Sequence, residues 1–312
     1  MISVIISTLN RPEKLQNCLY SILANTFSGF EIIVIDQNRG NTTKRVVQNF
    51  LNESIRYIKI GRKGLSRARN LGIRVSKGNI LAFTTDDCIV DKHWLKNIDS
   101  SFQEKESFPV VFGRVVPFRP EHHPGLISPG VSDPRRTKRE ILTKISYELF
   151  DFGIGNNIAV RKSTFNKIGD FKEWLGAGSI GRAGEEGELI YRVLREKKQG
   201  TRILFNPEIL VYHDRWLNQR EYEKQQFSYN YGTISVLEYY YFLGDKRNKK
   251  YIIRVFKDKR EKRHQEIKTC IVEFHPKWLV RIAFDVTIHA LYYAQGVLVA
   301  RYFARLKRMQ KK

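Results

Sequence analysis

Cysteine is scarce: Cys18, Cys88 and Cys270 are the three in 312 residues, widely separated and never in C-x-x-C spacing. That argues against a disulfide framework and against a structural zinc site. Acidic residues are few beside basic ones, 32 Asp+Glu against 55 Lys+Arg, for a formal net charge of +23. So basic a chain attracts polyanions: nucleic acid, anionic lipid headgroups or phosphorylated substrates. Familiar phosphate and nucleic-acid signatures are missing. No G-x-G-x-x-G follows the first strand-like run, no G-x-x-x-x-G-K-[ST] occurs, and there is no zinc-finger, RNP1-like or helix-turn-helix pattern. The opening Met1-Ile2-Ser3-Val4-Ile5-Ile6-Ser7 has no basic n-region and no small-residue cleavage pattern. It reads as a first strand and not as a signal peptide, which makes a cytoplasmic location the expectation.

What is present is an ordinary globular balance, 42% apolar and 28% charged residues, in a length that suits one large domain or two modest ones. The first hundred residues alternate strand and helix signals. Val4-Ile5-Ile6 is a short apolar run; Pro12 opens a helix whose Leu15, Cys18, Leu19 and Ile22 fall at the spacing of a buried face. Glu31-Ile32-Ile33-Val34-Ile35-Asp36 is a strand ending in a carboxylate. Helix at 43–51, strand at 55–60, helix at 66–75 and strand at 80–84 follow. Apolar runs separated by helices predict an α/β fold with a mostly parallel sheet.

Ligands of such sheets sit beyond the carboxyl ends of the strands. Here those ends carry Ser7-Thr8, Asp36 and Thr85-Asp86-Asp87. Asp86-Asp87 suits a hard divalent cation sharing phosphate oxygens, or an N-cap pair near His93. Five of the nine prolines lie between Pro117 and Pro134, with His122-His123 among them. This reads as a mobile surface loop, and the adjacent histidines have no evident third ligand. Further on, Gly155-Asn156-Asn157 precedes a strand. A glycine-rich stretch then leads into Glu185-Glu186-Gly187-Glu188, where a carboxylate could act as general base or simply favour a helix N-terminus, with Glu188 pairing Arg192. Strand-like segments at 202–205 and 209–213 end at His213, a ligand, a phosphate contact or a half-buried histidine.

Taken in order, these blocks resemble family 2 glycosyltransferases. The resemblance rests on Ser3–Arg11, Phe30–Asp36, Gly64–Gly72, Gly78–Cys88, Gly155–Asn157 and Gly184–Leu189, and covers residues 1 to about 215. It implies a GT-A fold, a nucleotide-diphosphate sugar donor, Mn2+ or Mg2+, and inversion at the anomeric carbon. By position it implies that Ser7, Thr8 and Asn10 line the nucleotide pocket, Asp36 bonds the nucleoside, Arg69 sits near the base, and Asp86 lies near the ribose or sugar. Asp87 and His213 are then the metal ligands, Glu186 the catalytic base, and Glu185, Asn156 and Asn157 acceptor-side residues. Thr85 stands where the family's D-x-D triplet begins, and Glu186 where its base is usually Asp.

Residues 216–312 are expected to form a helical, basic extension to a 1–215 catalytic domain. The last 99 residues hold 22 Lys+Arg and 10 Asp+Glu. Residues 219–243 read as a tyrosine-rich helix, 244–263 as a basic connector, and 276–308 as a long amphipathic helix. Arg281, Asp285 and His289 on one stripe disfavour a lipid-spanning segment. The helix suits an anionic membrane surface at the inner face, or a face of the catalytic domain. The expected acceptor is a saccharide or lipid-linked saccharide. A non-catalytic nucleotide-sugar-binding scaffold and a basic nucleic-acid-binding protein are the alternatives.

Overall fold

A computed structural model describes residues 1–50, 52–104, 108–196, 201–254 and 294–310. The chain divides into two compact units: Met1–Ser179 with Glu185–Gln226, and Ile180–Gly184 with Phe227–Lys312.

The first unit is built on a nine-stranded sheet of order β3-β2-β1-β4-β8-β6-β9-β5, with β7 paired to β9. Strands β1 (Ile2–Thr8), β2 (Phe30–Asp36), β3 (Ile55–Lys59) and β4 (Ile80–Thr85) are mutually parallel. Every residue of β1 is buried, as a strand covered on both faces requires. Helix α1 (Pro12–Leu23) starts on Pro12 and buries the predicted face Leu15, Cys18, Leu19 and Ile22. Between β2 and β3 lies α2 (Thr42–Gln48). Helix α3 (Leu65–Val75) rides directly on β1. A Cβ added at Gly72 would stand 2.5 Å from Ile5 Cγ2, so glycine sets this approach.

Strands β5 (Cys88–Val90), β6 (Val110–Pro117), β7 (Glu140–Leu142) and β8 (Ile158–Arg161) complete the sheet with β9 (Ile203–His213). Strand β8 runs antiparallel to β4 and β6, and β5 antiparallel to β9. Helix α4 (Trp94–Gln103) packs on β9 and α5 (Lys162–Ile168) on β8, and α6 (Glu185–Arg195) lies beside α5. The two strand-like segments read at 202–205 and 209–213 are one strand with an irregularity. Gly113 pairs Asn206 while Arg114 pairs Leu210, so Pro207, Glu208 and Ile209 bulge out of β9.

Asn157 holds that bulge. Its Nδ2 donates to the Arg114 and Ile209 carbonyls at 2.9 and 2.8 Å, and its Oδ1 accepts from Trp94 Nε1 at 2.9 Å. Gly113 is needed beside it, since a Cβ there would lie 2.1 Å from the Ile209 oxygen. Beyond the bulge, β9 runs in the register that sets His213 opposite Cys88 and Pro117.

In the second unit, α7 (Gln219–Phe242) contributes its later turns, and residues 248–254 and 294–309 are helical. A Cβ at Gly232 would stand 2.5 Å from the Ala183 backbone, so α7 meets segment Ile180–Gly184 main chain to main chain. Arg182, at φ 63°, lays its guanidinium 5.0 Å from the centre of the Tyr231 ring. The basic segment at 257–263 and the stripe at 281, 285 and 289 lie outside the described residues. No helix among the described residues is long and apolar enough to cross a membrane.

Asn157→Leu, nearly isosteric, strands the Trp94 donor and two buried carbonyls. It should lower unfolding stability by about 2–4 kcal/mol in urea titrations, and a loss below about 0.5 kcal/mol would contradict the assigned role.

Candidate active site

Register alone gathers the polar strand ends. Thr8 pairs Asp36 across β1 and β2, and Ser7 pairs Thr85 across β1 and β4. Asp86 and Asp87 follow directly and are 0% and 4% exposed. Adjacent buried carboxylates demand donors. Thr8 Oγ1 gives Asp86 Oδ2 a bond of 2.8 Å, and the Leu9 amide another of 3.3 Å. Thr85 Oγ1 donates to Asp87 Oδ1 at 2.7 Å. Arg11, at the start of α1, pairs with both: with Asp86 Oδ1 at 2.8 Å, and with Asp87 Oδ2.

The two acids differ in consequence. Burial pushes Asp86 up to about 6 despite Arg11, with the Asp87 charge adding to the rise. Burial also opposes ionisation of Asp87, yet His213, Arg11 and the Thr85 hydroxyl hold it well below the usual carboxylate range.

His213 is oriented by the proline-rich loop. Its Nδ1 lies 2.6 Å from the Pro129 carbonyl, which can only accept, so Nδ1 carries the proton. Nε2 then stands 3.5 Å from Asp87 Oδ2: protonated, it pairs with the carboxylate and helps hold it ionised, and deprotonated, it turns a lone pair to the same point. The loop expected to be mobile is tied down here: Ile127 bridges Leu217, Ser128 Oγ bonds the His213 carbonyl, and Phe118 N bonds it too. His123 stacks on Trp216 at 4.3 Å, a packing role.

Two lone-pair groups turned to one point fit a divalent cation. Carboxylate and imidazole, with water or phosphate oxygens, suit Mg2+ or a first-row metal. Among the described residues, Asp87, Cys88 and His213 form the one cluster with ligand atoms within 4.8 Å of each other. Cys88 is the poor member. Burial and Asp87 push its thiol up to about 12, and it faces Thr85 Oγ1 at 3.2 Å.

Asp36 is fully buried. It accepts from Tyr57 OH at 2.7 Å and from the Asn38 amide at 2.8 Å. Asn38 Oδ1 in turn accepts from the amide of Asn10, an exposed residue at φ 57°. Ser7 Oγ is buried without a partner.

The remaining residues form a second cluster around the start of α6. Arg69, expected near the nucleotide base, is 1% exposed. Its guanidinium meets Glu185 Oε1 at 3.0 Å and the Gly155 carbonyl at 2.5 Å, against the rings of Phe83 and Phe171. Gly155 is where this cluster closes up, because a Cβ there would stand 3.3 Å from Glu185, from Arg69 and from the Glu186 carboxyl carbon. Glu186 is half-buried with its Oε2 sealed and unpartnered, as is Asn156 Oδ1. Burial, then the neighbouring Glu185 charge, lifts Glu186 to about 8 although Arg69 opposes the rise. Glu188 is engaged by Arg192 at 2.7 Å. Asn157, expected on the acceptor side, has its amide nitrogen and oxygen engaged by the sheet and Trp94.

Arg11, Tyr57 and Pro129 belong to the site and were missed from sequence. Only the position of Arg11, just past a strand end and before a helix, hinted at its place.

A family model for glycosyl transferase family 2 matches residues 3–169, over half of the chain, and the chain belongs to that family. It is a glycosyltransferase. One relative is the glucosyl-dolichyl phosphate glucuronosyltransferase of Haloferax volcanii, 21% identical over 71% of this chain and 72% of its own length. Another is the GalNAc(5)-diNAcBac-PP-undecaprenol beta-1,3-glucosyltransferase of Campylobacter jejuni, 34% identical over 37% of this chain and 38% of its own. The fold is that of GT-A structures. S. aureus TarS in complex with UDP-GlcNAc matches at TM-score 0.58, 14% identity, over 82% of this chain and 71% of that one. The mannosyltransferase PcManGT from Pyrobaculum calidifontis, in complex with GDP-Man and Mn2+, matches at TM-score 0.57, 14% identity, over 100% of this chain and 87% of that one.

Proposed function

We propose that this enzyme moves a sugar from a nucleoside-diphosphate donor to a hydroxyl of a saccharide or lipid-linked saccharide, by single displacement with inversion. The observation that carries this reading is the sealed, unpartnered Oε2 of Glu186, a carboxyl raised to about 8. A base of that strength is matched to the proton an attacking hydroxyl must lose. Beyond burial, Glu185 raises the affinity of Glu186 for the proton, and Arg69 moderates it. Thr8, Asn10, Asp36 and Asp86 line the donor side, with Ser7 Oγ free to bond. Asp87 and His213 would hold Mn2+ or Mg2+, which when bound supplies charge neutralisation for the departing diphosphate. Relatives and neighbours carry UDP-GlcNAc, GDP-Man, dolichyl phosphate or undecaprenol in their names, which supports the donor class and a lipid carrier for the acceptor.

Glu186→Gln should reduce transfer at least about a hundredfold while leaving nucleoside diphosphate binding within about twofold. In the native enzyme, kcat/KM should climb with pH and level off above about 8, because the base must be ionised. Stability should run the other way. Between the ordinary 4.5 and about 8 the native carboxyl keeps a proton the unfolded chain has lost, so stability falls as pH rises through that window. Glu186→Gln should flatten this slope. Normal transfer by the variant, or a product with the donor's anomeric configuration by NMR, would refute the mechanism.

A lipid-linked acceptor also calls for approach to a membrane. The helix at 294–309 exposes Leu298, Tyr302, Leu306 and Met309 along one face, with Arg305 exposed alongside. The protein should sediment with phosphatidylglycerol vesicles at low salt and release at high salt. Indifference to lipid charge would refute membrane docking.

A further inference from the structure

The oxygen that must take a metal is already taken. Asp87 Oδ2 faces His213 Nε2 at 3.5 Å, and the same atom carries the Arg11 guanidinium. A second arm of that guanidinium holds Asp86 Oδ1 at 2.8 Å. Arg11 therefore holds the Asp87 oxygen that faces His213, doing for that carboxylate what a cation would do. One oxygen flanked by imidazole and guanidinium has no room for a divalent ion until the guanidinium withdraws.

Arg11 can withdraw, because its side chain is 38% exposed whereas Asp86 and Asp87 are 0% and 4% exposed. It stands at the N-cap of α1 and makes no capping bond with its side chain. Nor does the helix need it as an anchor. Three residues on, Lys14 pairs with Asp214 at 2.5 Å, and the Asp214 amide donates to the Asp87 carbonyl at 2.7 Å. That second bridge ties the same turn of α1 to the end of β9.

We propose that Arg11 is an exchangeable counter-ion. It bridges Asp86 and Asp87 in the free enzyme and holds the Asp87 oxygen that a divalent ion would need, yields that oxygen when the ion is taken up, and then offers its charge to the donor's diphosphate. This rests on the nucleotide-sugar reading above and adds to it an order of events. The metal alone binds weakly, because it must evict an internal cation. With a nucleoside diphosphate it binds well, because the evicted guanidinium gains an anionic partner, and a planar fork of donors suits phosphate oxygens.

The test is Mn2+ binding by EPR, first alone and then with UDP or GDP, on the native protein, Arg11→Ala and Arg11→Lys. Arg11→Ala should bind Mn2+ alone roughly tenfold more tightly than the native protein, and the Mn2+–nucleotide pair roughly tenfold more weakly. Arg11→Lys keeps one charge but cannot bridge both carboxylates, and should fall between. A purely structural Arg11 would weaken both affinities together or change neither, and either result would overturn the proposal. If neither the native protein nor the variants bind Mn2+ with or without nucleotide, the donor-site reading itself falls and this inference with it. Normal native binding that Arg11→Ala leaves untouched would overturn the exchange alone.

Discussion

Asp86 and Asp87 are neighbouring carboxylates withdrawn almost entirely from water at the end of β4. Each such charge costs several kcal/mol to bury unless partnered, and two side by side also repel. Their partners come from everywhere else in the unit: Thr8 from β1, Arg11 from α1, Thr85 from β4 itself, and His213 from β9. These contacts require the sheet order, the close seating of α1 and the register of β9 all at once. The register depends in turn on Asn157 bridging the bulge, and the ring orientation of His213 depends on the Pro129 carbonyl. A charge problem at one strand end thus explains why distant segments meet there.

The start of α6 solves a different problem with the same materials. Arg69 neutralises Glu185 in a buried pair and leaves Glu186 with little compensation. One cluster drives a carboxylate to stay ionised, the other lets a carboxyl keep its proton near neutral pH. That contrast between Asp87 and Glu186 suits one to hold positive charge and the other to accept a proton.

Much of this was legible in the residues. Apolar runs buried on both faces located β1, β2 and β4, and Pro12 with its 3-4 spacing located α1, because those signals are local. Asp36, Asp86 and Asp87 could be picked out as strand ends for the same reason. Partners across the sheet could not. Arg11 and Asp87 are 76 residues apart and Asn157 and Trp94 are 63 apart, and no periodicity reports which side chains meet. Arg69 and Asn157 illustrate the limit: the groups each one bonds, Glu185 and the Ile209 carbonyl, lie 116 and 52 residues away. The antiparallel run of β8 and the merging of two short segments into β9 were likewise set by pairing and not by pattern.

The most direct measurement is manganese-edge anomalous diffraction from crystals grown with Mn2+ and UDP or GDP. A single peak shared by Asp87 and His213, with Arg11 turned from Asp87 toward the diphosphate, is the expected result. A nucleotide bound with manganese elsewhere, or with Arg11 still paired to Asp87, would contradict the site as assigned.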